Sequence, residues 1–484
     1  MSDQPRRSMT RRSFFDSLSG SIYGTALAYL LGEDLLAGEP SHRRRVYDLK
    51  PRQAHQEPKA RSIIHLFMNG GPSQMDLFDP KEELTKRHGE PYFDKIAGEV
   101  EFINSAGALM KSPYKFQRHG ESGIWVSEVM PHLAKQVDDI AVIRSMHTTT
   151  FAHEHALYKI QSGHMMSAYP SLGSWSTYGL GSENQNLPAY VVLDDPKGLP
   201  VNGVENWQAG FLPPVYQGTR FRSEGSPILD LEAGVEKPPQ VVDLQRDLLA
   251  RLDDIHRSGR PGQPILDARI SNYELAARMQ LAASAALDLS QESAETLEMY
   301  GINDKKTESY GRRCLIARRL VESGVRFVQL YISSQIWDSH GQLATSLRDA
   351  CDFTDKPVAA LLKDLKQRGL FDSTLLVWGG EFGRLPIAQT SEDTPNPTRD
   401  GRDHNKNAMV TWFAGAGVKG GTLYGATDEL GFAAVEDKVS VHDWHATILH
   451  LLGLDHERLV FERLGLKEKL TSVFDAHVID GILV

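Results

Sequence analysis

The first strongly apolar run, Ser62-Ile63-Ile64-His65-Leu66-Phe67-Met68-Asn69, stops at Gly70-Gly71-Pro72-Ser73. A short apolar run closed by turn residues predicts a buried strand with a loop at its carboxyl end. The same pattern predicts strands at 140–144, 189–193, 325–331, 373–378 and 408–413. Between them lie helical patterns: residues 126–139, an alanine-rich stretch at 275–289, an amphipathic segment at 308–323, and a long one at 343–368 that Pro357 is expected to break. Residues 443–452 carry an apolar stripe of Ala446, Ile448, Leu449, Leu451 and Leu452. Residues 196–240, rich in Gly, Pro and aromatics, read as loops over one end of a sheet, and 241–300 as an inserted helical layer. Strands alternating with helices predict an α/β fold: a three-layer α/β/α sandwich around a mostly parallel central sheet.

Composition narrows the class. With 484 residues, 40% hydrophobic and 24% charged, the chain is ordinary for a globular protein. One α/β domain with insertions, residues 61–484, accounts for most of its length. A net charge of -10, and no lysine/arginine stripe interleaved with aromatics, predict no nucleic-acid partner. Cys314 and Cys351 both fall in predicted helices, so neither a disulfide framework nor a CxxC metal site is expected. Thr10-Arg11-Arg12-Ser13-Phe14-Phe15, followed by a mildly apolar stretch at 22–31, reads as a twin-arginine signal region over 1–37. That reading implies the twin-arginine export machinery as a partner and a periplasmic address. The alternative is an arginine-bearing disordered tail with a surface helix. Residues 38–60, with Arg43-Arg44-Arg45, read as a linker, and no later segment is long and apolar enough to be a transmembrane helix.

The candidate chemistry lies where strands are expected to end. Trp337-Asp338-Ser339-His340-Gly341, Gly379-Gly380-Glu381-Phe382-Gly383-Arg384 and Gly401-Arg402-Asp403-His404 each place carboxylate or imidazole beside glycine. Open α/β sheets bind ligands beyond the carboxyl ends of their strands. Oxygen and imidazole donors converging there point to a divalent metal ion, with zinc, calcium, magnesium and manganese all admissible. Asp338 and His340 would share one face if the strand ran on through them; otherwise they form a polar turn. Glu381 at a buried strand end requires a cation or a donor, and Arg384 offers an ion pair instead. Arg402, beside His404, has the fork to hold an oxyanion. His153 and His155 diverge on a helix, so at most one of the two is expected to ligate. Thr148, Thr149 and Thr150 offer a hydroxyl nucleophile or an N-cap cluster. Asp76 and Asp79 suit an ion site or a turn, and His442 and His445 read as structural.

Taken in order, GGPSQMD, IRSMHTTTFAHEHALYKIQSGH, YPSLGS, WDSHG, WGGEFGR, GRDHN and HDWHATILHLLGL resemble the DUF1501 family over roughly residues 60–455. That family is similar to sulfatases and to the alkaline-phosphatase-like superfamily. The resemblance implies a metal held by Asp338, His340 and His404, with Glu381, Asp76 and His153 near it. The second metal's usual Asp-His pair reads Glu381-Phe382 here, and Asn69-Gly70 stands where an aspartate ordinarily ends the first strand. Counting back about ten residues from Gly163, where sulfatases carry Cys or Ser, reaches His153. Formylglycine chemistry is therefore not expected. The implied function is an exported, metal-dependent hydrolase of a sulfate or phosphate ester of a small molecule or carbohydrate. Thr149, Thr150 or water would be the nucleophile, Arg402 or Arg384 would neutralise the oxyanion, and Arg384 and Asn69 would face the substrate. The rival is a non-catalytic binding or scaffold protein on a decayed fold of the same kind.

Overall fold

The computed structural model describes residues 48–223, 238–260, 263–390 and 392–484. The signal region expected over 1–37, and the first part of the expected linker, lie outside these residues. The chain divides into two compact units, one of residues 1–46 and 233–267, the other of 47–232 and 268–484.

The larger unit holds nine strands in one sheet. In chain order they are β1 (Ser62–Phe67), β2 (Ile140–His147), β3 (Tyr190–Leu193), β4 (Thr219–Phe221), β5 (Phe327–Leu330), β6 (Thr374–Gly379), β7 (Met409–Ala414), β8 (Thr422–Tyr424) and β9 (Val439–Ser440). Their spatial order is β8-β2-β7-β6-β1-β5-β3-β4, with β9 alongside β2. Every pairing is parallel except those of β7, which runs antiparallel to β6 and β2. The main helices of this unit are α1 (His153–Ser162), α2 (Leu172–Leu180), α5 (Glu308–Glu322), α6 (Leu343–Gln367) and α7 (Val441–Leu451). Of the other two, α3 (Pro239–Ser258) lies in the smaller unit, and α4 (Pro264–Leu287) begins there and continues into the larger.

Side-chain alternation along β1 explains the layering. Ile64 and Leu66 join one core with Leu315 and Leu320 of α5, Leu347 and Leu361 of α6, and Trp378 and Trp412. Ile63 and Phe67 point to the opposite face and meet Leu157 and Ile160 of α1, Trp175 of α2, and Ile448 and Leu449 of α7. A parallel sheet covered on both faces is buried along both sides of its strands, and β1 is buried throughout, its polar Ser62 and His65 included. Truncating Leu66 to Ala would cost about 2–5 kcal/mol.

Two local expectations are corrected. Residues 126–139 are not one helix: a hairpin strand ends at Ser127, and a 3-10 helix runs over Leu133–Asp139. There the Asp355 carboxylate accepts the His132 and Leu133 N–H groups at 2.7 and 2.8 Å. Pro357 does not break α6, which is continuous from Leu343 to Gln367; a buried face with Leu347, Leu361, Leu362 and Leu365 outweighs the lost hydrogen bond. Residues 48–60 are bonded to the domain through Arg52 N to Leu180 O, His55 N to Gly453 O and Ala60 N to Leu451 O.

Candidate metal centre

β1, β5, β6 and β2 all end on the same edge of the sheet, and the antiparallel β7 starts there. Five connections therefore converge: Asn69 and the glycines after β1, 148–152 leading into α1, the loop after β5, Gly380–Arg384 after β6, and His404 ahead of β7. A two-stranded ribbon pairs Arg384 with His404 and fixes the last two against each other. β5 ends at Leu330, and a turn at Ser333–Gln335, with Ser334 and Gln335 at positive φ, follows. Asp338 and His340 thus meet through a tight loop and not by strand alternation.

Asp338 is the hub. Its Oδ1 lies 2.9 Å from His340 Nε2 and 3.1 Å from His404 Nε2, while Oδ2 lies 3.4 Å from His153 Nε2. One donor atom from each of these four residues falls within 4.8 Å of all the others. Each imidazole is also anchored through its other nitrogen. His153 Nδ1 is 2.7 Å from Glu381 Oε1, His404 Nδ1 is 2.6 Å from Glu101 Oε2, and His340 Nδ1 pairs with Gln389 Oε1. An acceptor at Nδ1 places the proton there and leaves the Nε2 lone pair directed inward. Three such lone pairs around a carboxylate repel unless a cation sits among them or the rings take up protons.

For His153 the electrostatics favour the second solution. Burial opposes charge on His153, yet the neighbouring carboxylates of Asp338 and Glu381 outweigh it and lift its pKa to about 9. Burial likewise opposes charge on Asp338, but bonds from His153, His340 and His404 and the Arg384 charge hold its carboxyl far below the usual range. A cation would take the place of that proton on His153. Unpartnered buried atoms strengthen the fit: Glu381 Oε2, and both side-chain atoms of Asn69, have no hydrogen bond. Three imidazoles and a carboxylate are a donor set for a divalent transition ion.

The remaining expected residues are distributed unevenly. Arg384 is fully buried, and its guanidinium donates to Asp338 Oδ1 at 2.5 Å, Gly71 O at 3.0 Å, Arg402 O at 3.0 Å and Gly70 O. Gly70, at φ +111°, donates its N–H to Glu381 Oε1 at 2.9 Å. A Cβ there would stand 2.5 Å from the Asp338 nitrogen, so the approach of β1's turn to Asp338 requires glycine. Arg402 does not reach the cluster as an oxyanion clamp. It is locked on Asp76 at 2.7 and 3.2 Å, with Met110 O and Pro386 O as further acceptors. Asp76, fully buried, is correspondingly consumed by Arg402 and Ser73 and does not join the cluster. Asp79 pairs with Arg144 and Lys81.

His155 is exposed one turn-face away from His153. Thr150 Oγ1 accepts the Ala152 N–H at 3.3 Å, and the exposed Thr149 hydroxyl lies 3.5 Å from Met165 Sδ; neither bonds a member of the cluster. His445 Nε2 meets Ile160 O and His442 Nε2 meets Gly163 O, tying α7 to α1. Sequence reasoning missed Glu101, Gln389 and Asp403. Asp403 accepts the N–H groups of Glu101, Phe102 and His404 at 3.0, 2.9 and 2.8 Å. Only Asp403 had a signal, its place beside His404; Glu101 lies in a segment without periodicity.

Fold and site together define an α/β protein with a histidine–carboxylate cluster at the carboxyl edge of its sheet. The chain belongs to the DUF1501 family, described as "Protein of unknown function (DUF1501)", which matches residues 60–483. No curated protein matches it. Among solved structures it is similar to the lipoteichoic acid synthase LtaP from Listeria monocytogenes, at 8% identity over 84% of this chain and 76% of that one, TM-score 0.34. It is similar also to alkaline phosphatase from the Antarctic bacterium TAB5, at 11% identity over 83% and 100%, TM-score 0.33. A third is the phosphonate monoester hydrolase SpPMH from Silicibacter pomeroyi, at 9% over 87% and 76%, TM-score 0.32.

Proposed function

We propose that His153, Asp338, His340 and His404 hold a divalent cation, and that the protein is a metal-dependent hydrolase of a phosphate or sulfate ester. One observation carries this reading: three Nε2 atoms converge on one carboxylate while every Nδ1 is anchored on an acceptor. A bound divalent ion supplies Lewis acidity toward an ester oxygen. Arg384 positions the Asp338 carboxylate, and Glu381 positions His153. Asn69, buried with both polar atoms unpartnered, is the residue we assign to the ester's oxygens. The cysteines, Cys314 and Cys351, are buried in α5 and α6, so the reading contains no formylglycine. Of the loop hydroxyls, Thr150 Oγ1 accepts the Ala152 N–H and Thr149 is exposed, and Thr149, Thr150 or a water is the nucleophile in this reading. We further propose export through the twin-arginine route to the periplasm, from the Arg11-Arg12 motif. No helix among the described residues is long and apolar enough to cross a membrane.

A second reading is a metal-bearing binding or scaffold protein without turnover. The commitment of Arg384 to Asp338 and of Arg402 to Asp76 favours it, since neither guanidinium is left for an oxyanion. A panel of aryl phosphates and aryl sulfates, assayed with manganese- and zinc-loaded protein, decides between the two. The hydrolase reading expects turnover that His340→Ala abolishes. No turnover of any ester by fully loaded protein, or equal turnover by the variant, overturns it.

A further inference from the structure

Large apolar side chains are left exposed on the segments that carry the cluster. The Phe102 ring stands edge-on to His340 at 5.2 Å and to His404 at 6.4 Å between centroids, yet it is 44% exposed, and Ile103 beside it is exposed as well. Met165, 42% exposed, touches Thr149 in the loop leading to His153, and Met166 follows it. Leu199 and Val204 are exposed on a segment that Asn202 ties to α1's first turn, through Glu154 O at 2.8 Å.

The strap carrying Phe102 is firmly held. Glu99 pairs with Lys406 at 3.0 Å and accepts from Asn407 at 3.1 Å, Glu101 meets His404, and Asp403 takes two of the strap's N–H groups. An aromatic ring fixed in this way against two would-be ligands, and still half open to water, is built to be covered by something apolar. The cationic side chains of the strap, of residues 148–166 and of the stretch from Arg384 to Lys406 are committed. Arg384 binds Asp338, Arg402 binds Asp76, Lys406 binds Glu99, and Lys159 is buried against Gly163 O and His442. Glu101 remains partly exposed at the mouth. The entrance thus offers apolar surface and negative charge; among the described residues no free positive group remains on those three stretches, while the Leu199–Val204 segment carries the exposed Lys197. That combination disfavours a substrate whose alcohol carries further anionic groups.

Resting on the hydrolase reading above, we infer that the ester's alcohol is uncharged and apolar, an aryl or alkyl group packed on Phe102 and Met165. A sugar ester is disfavoured. Phe102 and Met165 would be specificity-determining residues, and the cluster would handle only the common anionic head.

Two non-hydrolysable anions with the same head test this on the full-length, manganese-loaded protein: phenylphosphonate and methylphosphonate, titrated calorimetrically beside glucose 1-phosphate. The expected result is phenylphosphonate binding at least about tenfold tighter than methylphosphonate, with glucose 1-phosphate weaker than phenylphosphonate. Phe102→Ser, and separately Met165→Ser, should each shrink the phenyl-to-methyl ratio, Phe102→Ser to within about twofold. Both positions are exposed, so the variants should fold. A ratio near one in the unaltered protein, a ratio unmoved in both variants, or tighter glucose 1-phosphate binding overturns the inference. If manganese and methylphosphonate bind without a phenyl preference, the inference alone fails. If manganese does not bind, or neither phosphonate binds the loaded protein, the hydrolase reading fails and takes the inference with it.

Discussion

Glu101 Oε2 lies 2.6 Å from His404 Nδ1, across a sequence separation of 303. The contact sets which nitrogen of His404 carries its proton and therefore which one faces Asp338. Outer partners of this kind typically change metal affinity by about 10–100-fold when removed. Glu101→Ala should weaken manganese or zinc binding by that order while the metal-free protein melts at nearly its original temperature. Chelator competition and a melting curve of the stripped protein measure the two. Unchanged affinity would show that His404 needs no orienting partner.

The Arg402–Asp76 pair has a different role. Both side chains are fully buried, and removing one partner leaves an uncompensated charge in the core. Arg402→Met should destabilise the fold by about 3–5 kcal/mol, and adding Asp76→Leu should recover much of it. Chemical denaturation of the two proteins checks this. A stable Arg402→Met protein that had lost only ester turnover would restore Arg402 to the reacting site.

The pH dependence of the metal-free protein follows from His153. Its pKa, about 9 in the folded state, lies above its ordinary value, so the folded state holds the proton more tightly than the unfolded chain. The resulting stabilisation is fully present below about pH 6.5 and is lost as pH rises through about 9; it amounts to a few kcal/mol at most. His153→Gln should flatten stability between those limits. Protons and cation compete for the same nitrogens, so metal affinity should rise over this range in the unaltered protein. A metal-free stability that rises from pH 6.5 to 9 would contradict the assignment.

Gly70 is a backbone test. At φ +111°, with a Cβ position 2.5 Å from the Asp338 nitrogen, Gly70→Ala must displace either the β1 turn or Asp338. It should destabilise the protein by at least about 1–3 kcal/mol and lower metal occupancy together with it. Retained occupancy at full stability would mean that the turn is not what places Asp338.

Much of the centre was legible because buried parallel strands announce their ends. The run Ser62–Phe67 into Gly70-Gly71, and Thr374–Gly379 into Glu381, are apolar stretches that stop where polar chemistry starts, and Asp338, His340 and His404 share short motifs with glycine. What could not be read was long-range pairing. Arg402 beside His404 looks like an anion clamp until folding sets it against Asp76, 326 positions away. Glu101 belongs to an irregular strap, and nothing local tells that its carboxylate reaches a histidine. Pro357 failed as a breaker for the same reason, since burial of the α6 face is a tertiary fact.

Crystals grown with manganese or zinc, measured at the metal's absorption edge, test the central claim most directly. The account predicts one anomalous peak enclosed by His153, His340 and His404 Nε2 and the Asp338 carboxylate, at about 2.0–2.3 Å from its donors, and its loss in His340→Ala. A fully loaded protein with no peak among those four residues, or with its peak elsewhere, would contradict it.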